Sequence, residues 1–321
     1  MYLALAGGVG GAKLARGLCA LLAPEDLCVA VNTGDDFVHC GLRICPDLDT
    51  VMYTLSGRGN PNTGWGLAHE SWRTFGALDR LGGPSWFRLG DEDIATHMRR
   101  TQLLAEGASL SQATRMLCHA FGIAHSIVPM TEHAAPTVVH TEEGRLAFQD
   151  YFVRRRCEPA VRSIDYSAAL HAAPSPALWK ALHSPDLRAV IVCPSNPYLS
   201  IEPILSLPGV RAALEAASVP VIVVSPIIGG DAVKGPAAKI MRELGVDSSA
   251  LEIAKFYAKL ADGISIDDRD ALLAPAIESL GMRTHVGPTL MKDWQGQMRL
   301  AQSVLDFASS LAPLPLQRKC P

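Results

Sequence analysis

Tyr2-Leu3-Ala4-Leu5-Ala6-Gly7-Gly8-Val9-Gly10-Gly11-Ala12-Lys13-Leu14 opens the chain, and its reading decides the fold. Tyr2 to Ala6 has the length and unbroken apolar character of a strand buried on both faces. Glycines then turn the backbone, and Leu14, Leu18, Leu21 and Leu22 follow at helical spacing. Leu27 to Val31 is a second apolar strand. Strand, loop, helix, strand is the unit from which parallel sheets are wound.

The same alternation returns downstream. Ser126 to Pro129, Ala189 to Cys193, Val219 to Ser225 and Gly263 to Ile266 read as strands. Thr137 to His140 and Leu146 to Val153 flank Glu142-Glu143-Gly144 and read as a hairpin. Ala237 to Leu244 and Leu251 to Leu260 read as helices, the second capped by Ser248 and Ser249. Arg269 to Leu280 reads as a helix that must accommodate Pro275, and Trp294 to Leu311 as a closing helix. Between residues 61 and 122 the strand signal vanishes. Ala95 to Glu106 and Ser111 to Phe121 are helical there, the latter with Ser109 and Gln112 spaced as a capping box. The expected fold is α/β and Rossmann-like: a mainly parallel sheet with helices on both faces. Residues 1–60 and 123–321 would form the nucleotide-binding core, and residues 61–122 a helical insertion.

Composition narrows the function. The chain has 321 residues, 48% apolar and 19% charged, the balance of a globular enzyme. A net charge of -3 gives no global field for nucleic acid, and Arg154-Arg155-Arg156 is too short a basic run to make one. The expectation is no nucleic-acid partner and no membrane, since no apolar run approaches the ~18 residues of a span. Without a basic leader, and with eight scattered cysteines lacking any C-x-x-C pair, a reduced cytoplasmic protein is expected.

The glycine loop brings Gly8, Gly10, Gly11 and Lys13 to a helix start, where free N–H groups and the dipole attract phosphate. It is neither a dinucleotide fingerprint, because Lys13 stands where the last glycine belongs, nor a Walker loop, because Gly-Lys-Ser/Thr is missing. Asn32-Thr33-Gly34-Asp35-Asp36 follows the second strand, and Pro46-Asp47-Leu48-Asp49 comes soon after. Ligands of open parallel sheets bind beyond the strand carboxyl ends, so these carboxylates belong with the glycine loop. Carboxylates beside a phosphate site need a cation between them, and Mg²⁺ held near Asp35, Asp47 and Asp49 would supply it. Asp47 as a helix cap and Asp35 as a turn residue are the structural alternatives. On a helix, Asp47 and Asp49 would point apart, whereas in a turn both could face one ion.

Farther on, Trp86-Phe87-Arg88 could stack a flat ring or simply fill a core. Asn196, in Pro194-Ser195-Asn196-Pro197, could meet a base or a phosphate or serve a plain turn. Gly229 to Pro236, with Lys234, reads as a second phosphate-type loop. No nucleophile elbow or cysteine–histidine pair is present, which favours direct transfer over a covalent intermediate.

Taken together, the segments GGVGGAKL (7–14), NTGDDF (32–37), ICPDLDTV (44–51), GWG (64–66), WFRLGD (86–91) with Ala95-Thr96-His97, PMT (129–131), PSNPYLSIEPIL (194–205) and SPIIGGDAVKGPAAK (225–239) resemble the 2-phospho-L-lactate transferase family of coenzyme F(420) biosynthesis. The family often has Asp after PMT, and here Glu132 keeps the acid. The resemblance implies a Mg²⁺-dependent transfer from a guanylyl diphosphate donor to the terminal ribityl hydroxyl of 7,8-didemethyl-8-hydroxy-5-deazariboflavin (Fo), releasing GMP. By position it implies Asp49, Arg88 and Trp86 as Fo contacts, and Asp35, Asp47 and Asp49 as the catalytic and metal neighbourhood. Gly8, Gly10, Gly11, Lys13, Asn196 and Lys234 would hold the nucleotide, and the protein would be a homodimer. The acid carried by the donor stays open among phospholactate, phosphoenolpyruvate and phosphoglycerate. Two other readings compete: a gluconeogenesis-factor-like regulator that binds sugar nucleotides, and a nicotinamide oxidoreductase.

Overall fold

Seven strands make the central sheet in a computed structural model that describes residues 1–312. They are β1 (Tyr2–Ala6), β2 (Leu27–Val31), β3 (Ser126–Pro129), β4 (Ala189–Val192), β5 (Val221–Val224), β6 (Gly263–Ile266) and β7 (Arg283–Val286). Their spatial order is β7-β6-β5-β4-β1-β2-β3, and every neighbouring pair is parallel. The chain winds outward from β1 to β3, then crosses back to add β4 on the other side of β1. That reversal opens a crevice at the carboxyl ends of β1 and β4, where open α/β sheets take ligands.

The strands are apolar throughout because both faces are covered. Leu3 and Leu5 share one core with Leu178, Ile201, Ile253 and Tyr257. Tyr2, Ala4 and Ala6 share the other with Leu14 and Leu18 of α1 (Gly8–Leu21) and with Leu300 and Val304 of the closing helix Trp294–Leu311. Leu3, Leu5, Leu14 and Leu18 are fully buried, each stabilising by about 1.5–3 kcal/mol.

After β2 come a short hairpin (Phe37–His39 with Leu42–Ile44) and α2 (Pro46–Leu55). Then α3 (Arg73–Arg80), α4 (Asp91–Ala105) and α5 (Leu110–Ala120) follow without a strand between them. The Ser109–Gln112 capping box forms with both bonds. Leu110 and Leu117 of α5 lie in the same core as α1. Asp91 and Glu70 cap the starts of α3 and α4. Asp91 accepts from the Arg73 and Thr74 amides at 3.2 and 3.0 Å, and Glu70 accepts from those of Glu92 and Asp93 at 2.9 and 2.8 Å. Each carboxylate thus meets the positive end of a helix dipole, Asp91 that of α3 and Glu70 that of α4.

Four expectations change. The 137–153 hairpin is shorter, Val138–Thr141 with Gly144–Ala147, and a third strand, Val161–Asp165, pairs on its far side. Residues Asp150–Arg154 form a π-helical turn instead of strand. The helix expected from Arg269 is a 3₁₀ turn, Asp268–Leu273, followed by Ala274–Glu278. Pro275 falls in the first turn of that second piece, where its missing N–H costs nothing. Finally, β7 closes the sheet although Arg283-Thr284-His285-Val286 carries little apolar signal. The seven described cysteines are free, and Cys320 lies outside the described residues. Among the described residues no helix is long and apolar enough to cross a membrane.

Candidate active site

A cavity of about 880 Å³ occupies the crevice. Its floor is the turn from β1 into α1. The Gly7 N–H donates to Ser195 Oγ at 3.1 Å and the Gly8 N–H to Asp47 Oδ1 at 2.7 Å. A Cβ on Gly10 would strike the Pro194 carbonyl oxygen, so glycine lets the loops after β1 and β4 touch. Gly11 packs against Ser195 and Ala6 and does not line the cavity. The helix therefore begins inside the glycine run. Val9 and Gly10 line the cavity, and the amides of a helix's first turn have no intrahelical acceptor.

Beside this floor lies the acidic cluster. Asn32, fully buried at the end of β2, donates from Nδ2 to Asp47 Oδ2 at 2.9 Å and to Asp35 Oδ1 at 3.3 Å. Burial pushes Asp47 up to about 6 against the hydrogen bonds from Asn32, Gly8 and Ser200. Burial, and then the charges of Asp47 and Asp36, hold Asp35 well above the usual carboxylate range. Neither has a basic partner among the described residues. Asp49 differs. Both its oxygens are gripped by the guanidinium of fully buried Arg100, from Nη1 at 3.1 Å and from Nη2. His97 Nδ1 lies 3.5 Å away, and its Nε2 lies 3.2 Å from Asp93, which accepts from the Tyr53 hydroxyl at 2.6 Å. Asp36 faces Arg43 at 3.1 Å, and burial still raises it to about 7.

So the structure brings Asp35 and Asp47 together and turns Asp49 toward α4, because Asp47 and Asp49 stand on a helix after all. Among the described residues no three His, Cys, Asp or Glu side chains are arranged to hold a metal. Two uncompensated carboxylates still fit Mg²⁺, which commonly takes one or two protein carboxylates and completes its shell with phosphate oxygens and water. Glu132 is not part of this cluster; its Oε2 accepts from the Ser111 amide at 3.0 Å and caps α5.

Two lysines face the cavity. Lys13 Nζ donates to the Met291 carbonyl at 3.0 Å, and Lys234 Nζ to that of Thr63 at 3.3 Å. Burial and then Lys234 lower the pKa of Lys13, so the two charges sense each other. The loop carrying Lys234, read from sequence as a second phosphate-type loop, divides in two. Gly229 and Gly230, at φ +59° and +86°, make the turn of a tiny hairpin, Ile227–Ile228 with Asp231–Ala232. Ser225, Pro226 and Ile228 line the cavity, as does the following segment, Val233 to Ala237, whereas Gly229 and Gly230 do not. Asn196 serves two purposes. Its Oδ1 accepts from the Tyr198 and Leu199 amides at 3.0 and 3.1 Å, while its buried Nδ2 has no partner.

The far end of the cavity is aromatic. Trp86 packs 5.6 Å from Phe87 and 6.0 Å from Phe37, and Phe148 stacks on Phe152 at 5.5 Å. Arg88 lines the cavity but stacks on Trp72 at 4.5 Å, not on Trp86. The cation over Trp86 is Arg154, at 4.4 Å, and Arg156 lines the wall with it. In the sequence both arginines stood only in the short basic run Arg154-Arg155-Arg156, which was given no role. His97 stood only within the Ala95-Thr96-His97 segment, with no role, and Arg100, three residues on along α4, was passed over.

Residues 3–276 match the family described as 2-phospho-L-lactate transferase CofD. A phosphoenolpyruvate transferase of Kitasatospora aureofaciens is 40% identical over 315 residues, covering 96% of this chain and 98% of its own. Another, of Thermobifida fusca, is 41% identical over 321 residues, covering 96% and 97%. A 2-phospho-L-lactate transferase of Methanosarcina mazei is 37% identical over 299 residues, covering 93% and 97%. A solved protein of the UPF0052 family from Bacillus halodurans superposes with a TM-score of 0.62 at 13% identity, covering 95% and 98%, a likeness of fold. Matched from Leu3 to Ala276 and akin to these relatives over nearly its whole length, the chain belongs to the 2-phospho-L-lactate transferase CofD family.

Proposed function

We propose that this cavity carries a phospho-acid group from a guanylyl diphosphate donor to the terminal ribityl hydroxyl of Fo. The chain is a phospho-acid transferase of coenzyme F(420) biosynthesis by its family; the substrates, the metal and the residues assigned to them are our reading. The observation that carries it is the pairing of Asp35 and Asp47, without a protein cation, beside the open amides of α1. Such a site is built for a metal-bound phosphate.

The hydroxyl oxygen of Fo bonds to the phosphorus that bears the acid. The bond from that phosphorus to the GMP oxygen breaks, GMP leaves with the electron pair of that bond, and the hydroxyl proton passes to solvent water. Asp35 and Asp47 would hold Mg²⁺, which neutralises phosphate charge and favours the departing GMP oxygen. The Val9 and Gly10 amides, Lys13 and Lys234 hold the diphosphate. Asn196 Nδ2 donates to the guanylyl portion. Gly8 and Gly11 serve by shaping the floor. Trp86, with the Arg154 guanidinium on its face, and Phe148 form the pocket for the flat ring, and Arg88 reaches its polar edge from Trp72. Asp49, locked by Arg100, orients the ribityl chain and needs no proton of its own. Positioning dominates such a reaction, because loose phosphoryl transfer asks for little covalent help.

We also propose that residues 61–122 act as one insertion roofing the cavity through Thr63, Trp65 and Trp86 to Leu89, and that the protein works in the cytoplasm as a homodimer. The relatives' names point to two acids, phosphoenolpyruvate and phospholactate. The test is incubation of the protein with Fo, Mg²⁺ and the phosphoenolpyruvate, phospholactate or phosphoglycerate donor, with products followed by mass. A new Fo phosphodiester plus GMP from one donor is expected. Binding of guanine nucleotide without product from any donor would instead favour a regulator.

A further inference from the structure

The aromatic end of the cavity carries more positive charge than a neutral ring needs. The Arg154 guanidinium lies 4.4 Å over Trp86, and a planar guanidinium can stack on a second flat group with its other face. Its ion pair with Asp150, at 3.1 Å, is half exposed and therefore weak. Arg155 turns away to Glu143. Arg156 and Arg88 have no carboxylate partner among the described residues. His39, against Trp86 at 5.4 Å, is pushed toward its neutral form by burial and then by Arg154 and His97. The carboxylates on this side of α2 are committed, Asp49 to Arg100 and Asp93 to Tyr53 and His97.

The backbone that delivers these arginines is unusual. It follows the π-helical turn Asp150–Arg154, and π turns concentrate at functional sites. Arg156 and Cys157 then adopt φ of +50° and +57°, two consecutive non-glycine residues in the left-handed region. Such strain persists only where the surroundings hold it, and it clusters at ligand sites. Here it sets Arg156 on the same wall as Arg154.

On the reading that Fo is the acceptor, the ring has a chemistry to match. Its 8-hydroxyl is conjugated through the tricycle to the pyrimidine carbonyls, so the deprotonated ring is a flat, delocalised anion. A flat anion stacks on a guanidinium and accepts charge-assisted hydrogen bonds from a second one. We infer that the cavity binds the acceptor as its ring-deprotonated anion, stacked on Arg154, with the ring oxygen held by Arg156. Both are positioning residues. Their effect is to fix the ring so that the distant ribityl hydroxyl meets the phosphorus, and to discriminate against riboflavin, which has a methyl group where Fo has its hydroxyl.

The experiment is an absorbance titration of Fo bound to the full-length protein from acid to alkaline pH, read at the anion band. The wild type, Arg156→Gln and Arg154→Gln are compared, with the non-ionisable 8-methoxy analogue of Fo as the control ligand. The ring is expected to deprotonate at lower pH when bound than when free. Each substitution should move the bound midpoint back toward the free one. Each should weaken the anion about tenfold, the scale of one charge-assisted hydrogen bond. KM for Fo should rise with it while kcat stays within about threefold, and affinity for the methoxy analogue should change little. A bound midpoint equal to or above the free one overturns the inference, as does an equal loss for Fo and the methoxy analogue. If such an unshifted ring is still converted to product, Fo remains the acceptor and only the anion is wrong. If Fo neither binds nor reacts while guanine nucleotide binds, the acceptor assignment falls with it.

Discussion

Asp47 and Asp49 stand two residues apart on the first turn of α2 and face opposite walls. Asp49 looks toward α4, where both terminal nitrogens of buried Arg100 hold it at the edge of the cavity. Asp47 looks toward the glycine loop, where it meets an amide, Asn32 and the equally uncompensated Asp35, and is held up to about 6. One wall is finished by the protein. The other accumulates negative charge at the mouth of a phosphate-type loop, and the charge that would balance it has to come from outside the chain. A carboxylate with a buried arginine is held in place without a metal, and one without an arginine is left to bind a cation.

The strongest way to break this comparison is to remove the arginine. Arg100→Met leaves Asp49 buried and unpaired, and should cost about 3–5 kcal/mol in urea unfolding. Adding Asp49→Leu should return most of that loss. A loss below about 1 kcal/mol would show that the α4 wall is not held by this pair. Metal comes next. Mg²⁺ at 100 times its Kd should stabilise the wild type by about 2.7 kcal/mol, seen as a raised Tm. Asp35→Asn or Asp47→Asn should abolish that rise, and a persistent rise in both would place the ion elsewhere.

The pH dependence of the metal-free protein is a smaller effect with a definite sign. Asp47, Asp35 and Asp36 have folded pKa values raised above the unfolded value near 4. Their contribution is full below that value and is lost as pH rises through about 6 and about 7. Wild-type metal-free protein should therefore lose more stability between pH 5 and 8 than Asp47→Asn does, in matched thermal melts. The smallest expected effect is at the cation facing the diphosphate. Lys234→Met should raise KM for the donor about tenfold, as expected for one charge-assisted contact, and leave the melting curve alone.

Much of the glycine-loop wall was legible because its parts are contiguous motifs at the ends of strongly apolar strands. β1, β2 and the helix after Gly7 follow from periodicity, and the switch-point rule then puts Asp35, Asp47 and Lys13 on one edge. The α4 wall was not legible. Arg100 meets Asp49 across fifty-one positions of sequence, and nothing local marks an arginine as buried. β7 escaped because its residues are half exposed at a sheet edge, so apolar alternation is absent. Gly229-Gly230 looked like a phosphate loop because glycines that turn a hairpin and glycines that cradle an anion are the same letters. Arg154 and Arg156 were hidden by a π turn that no simple period describes.

The most direct test of the central claim is the rate of Fo phosphodiester formation, followed by mass, in wild type and Asp47→Asn with Mg²⁺ varied and with EDTA. The account predicts a Mg²⁺-dependent rate in the wild type. It predicts a fall of about 10³-fold in Asp47→Asn, the scale of several kcal/mol of lost charge stabilisation, in a protein that melts no lower than wild type. Full-rate turnover in EDTA, or in Asp47→Asn, would contradict it.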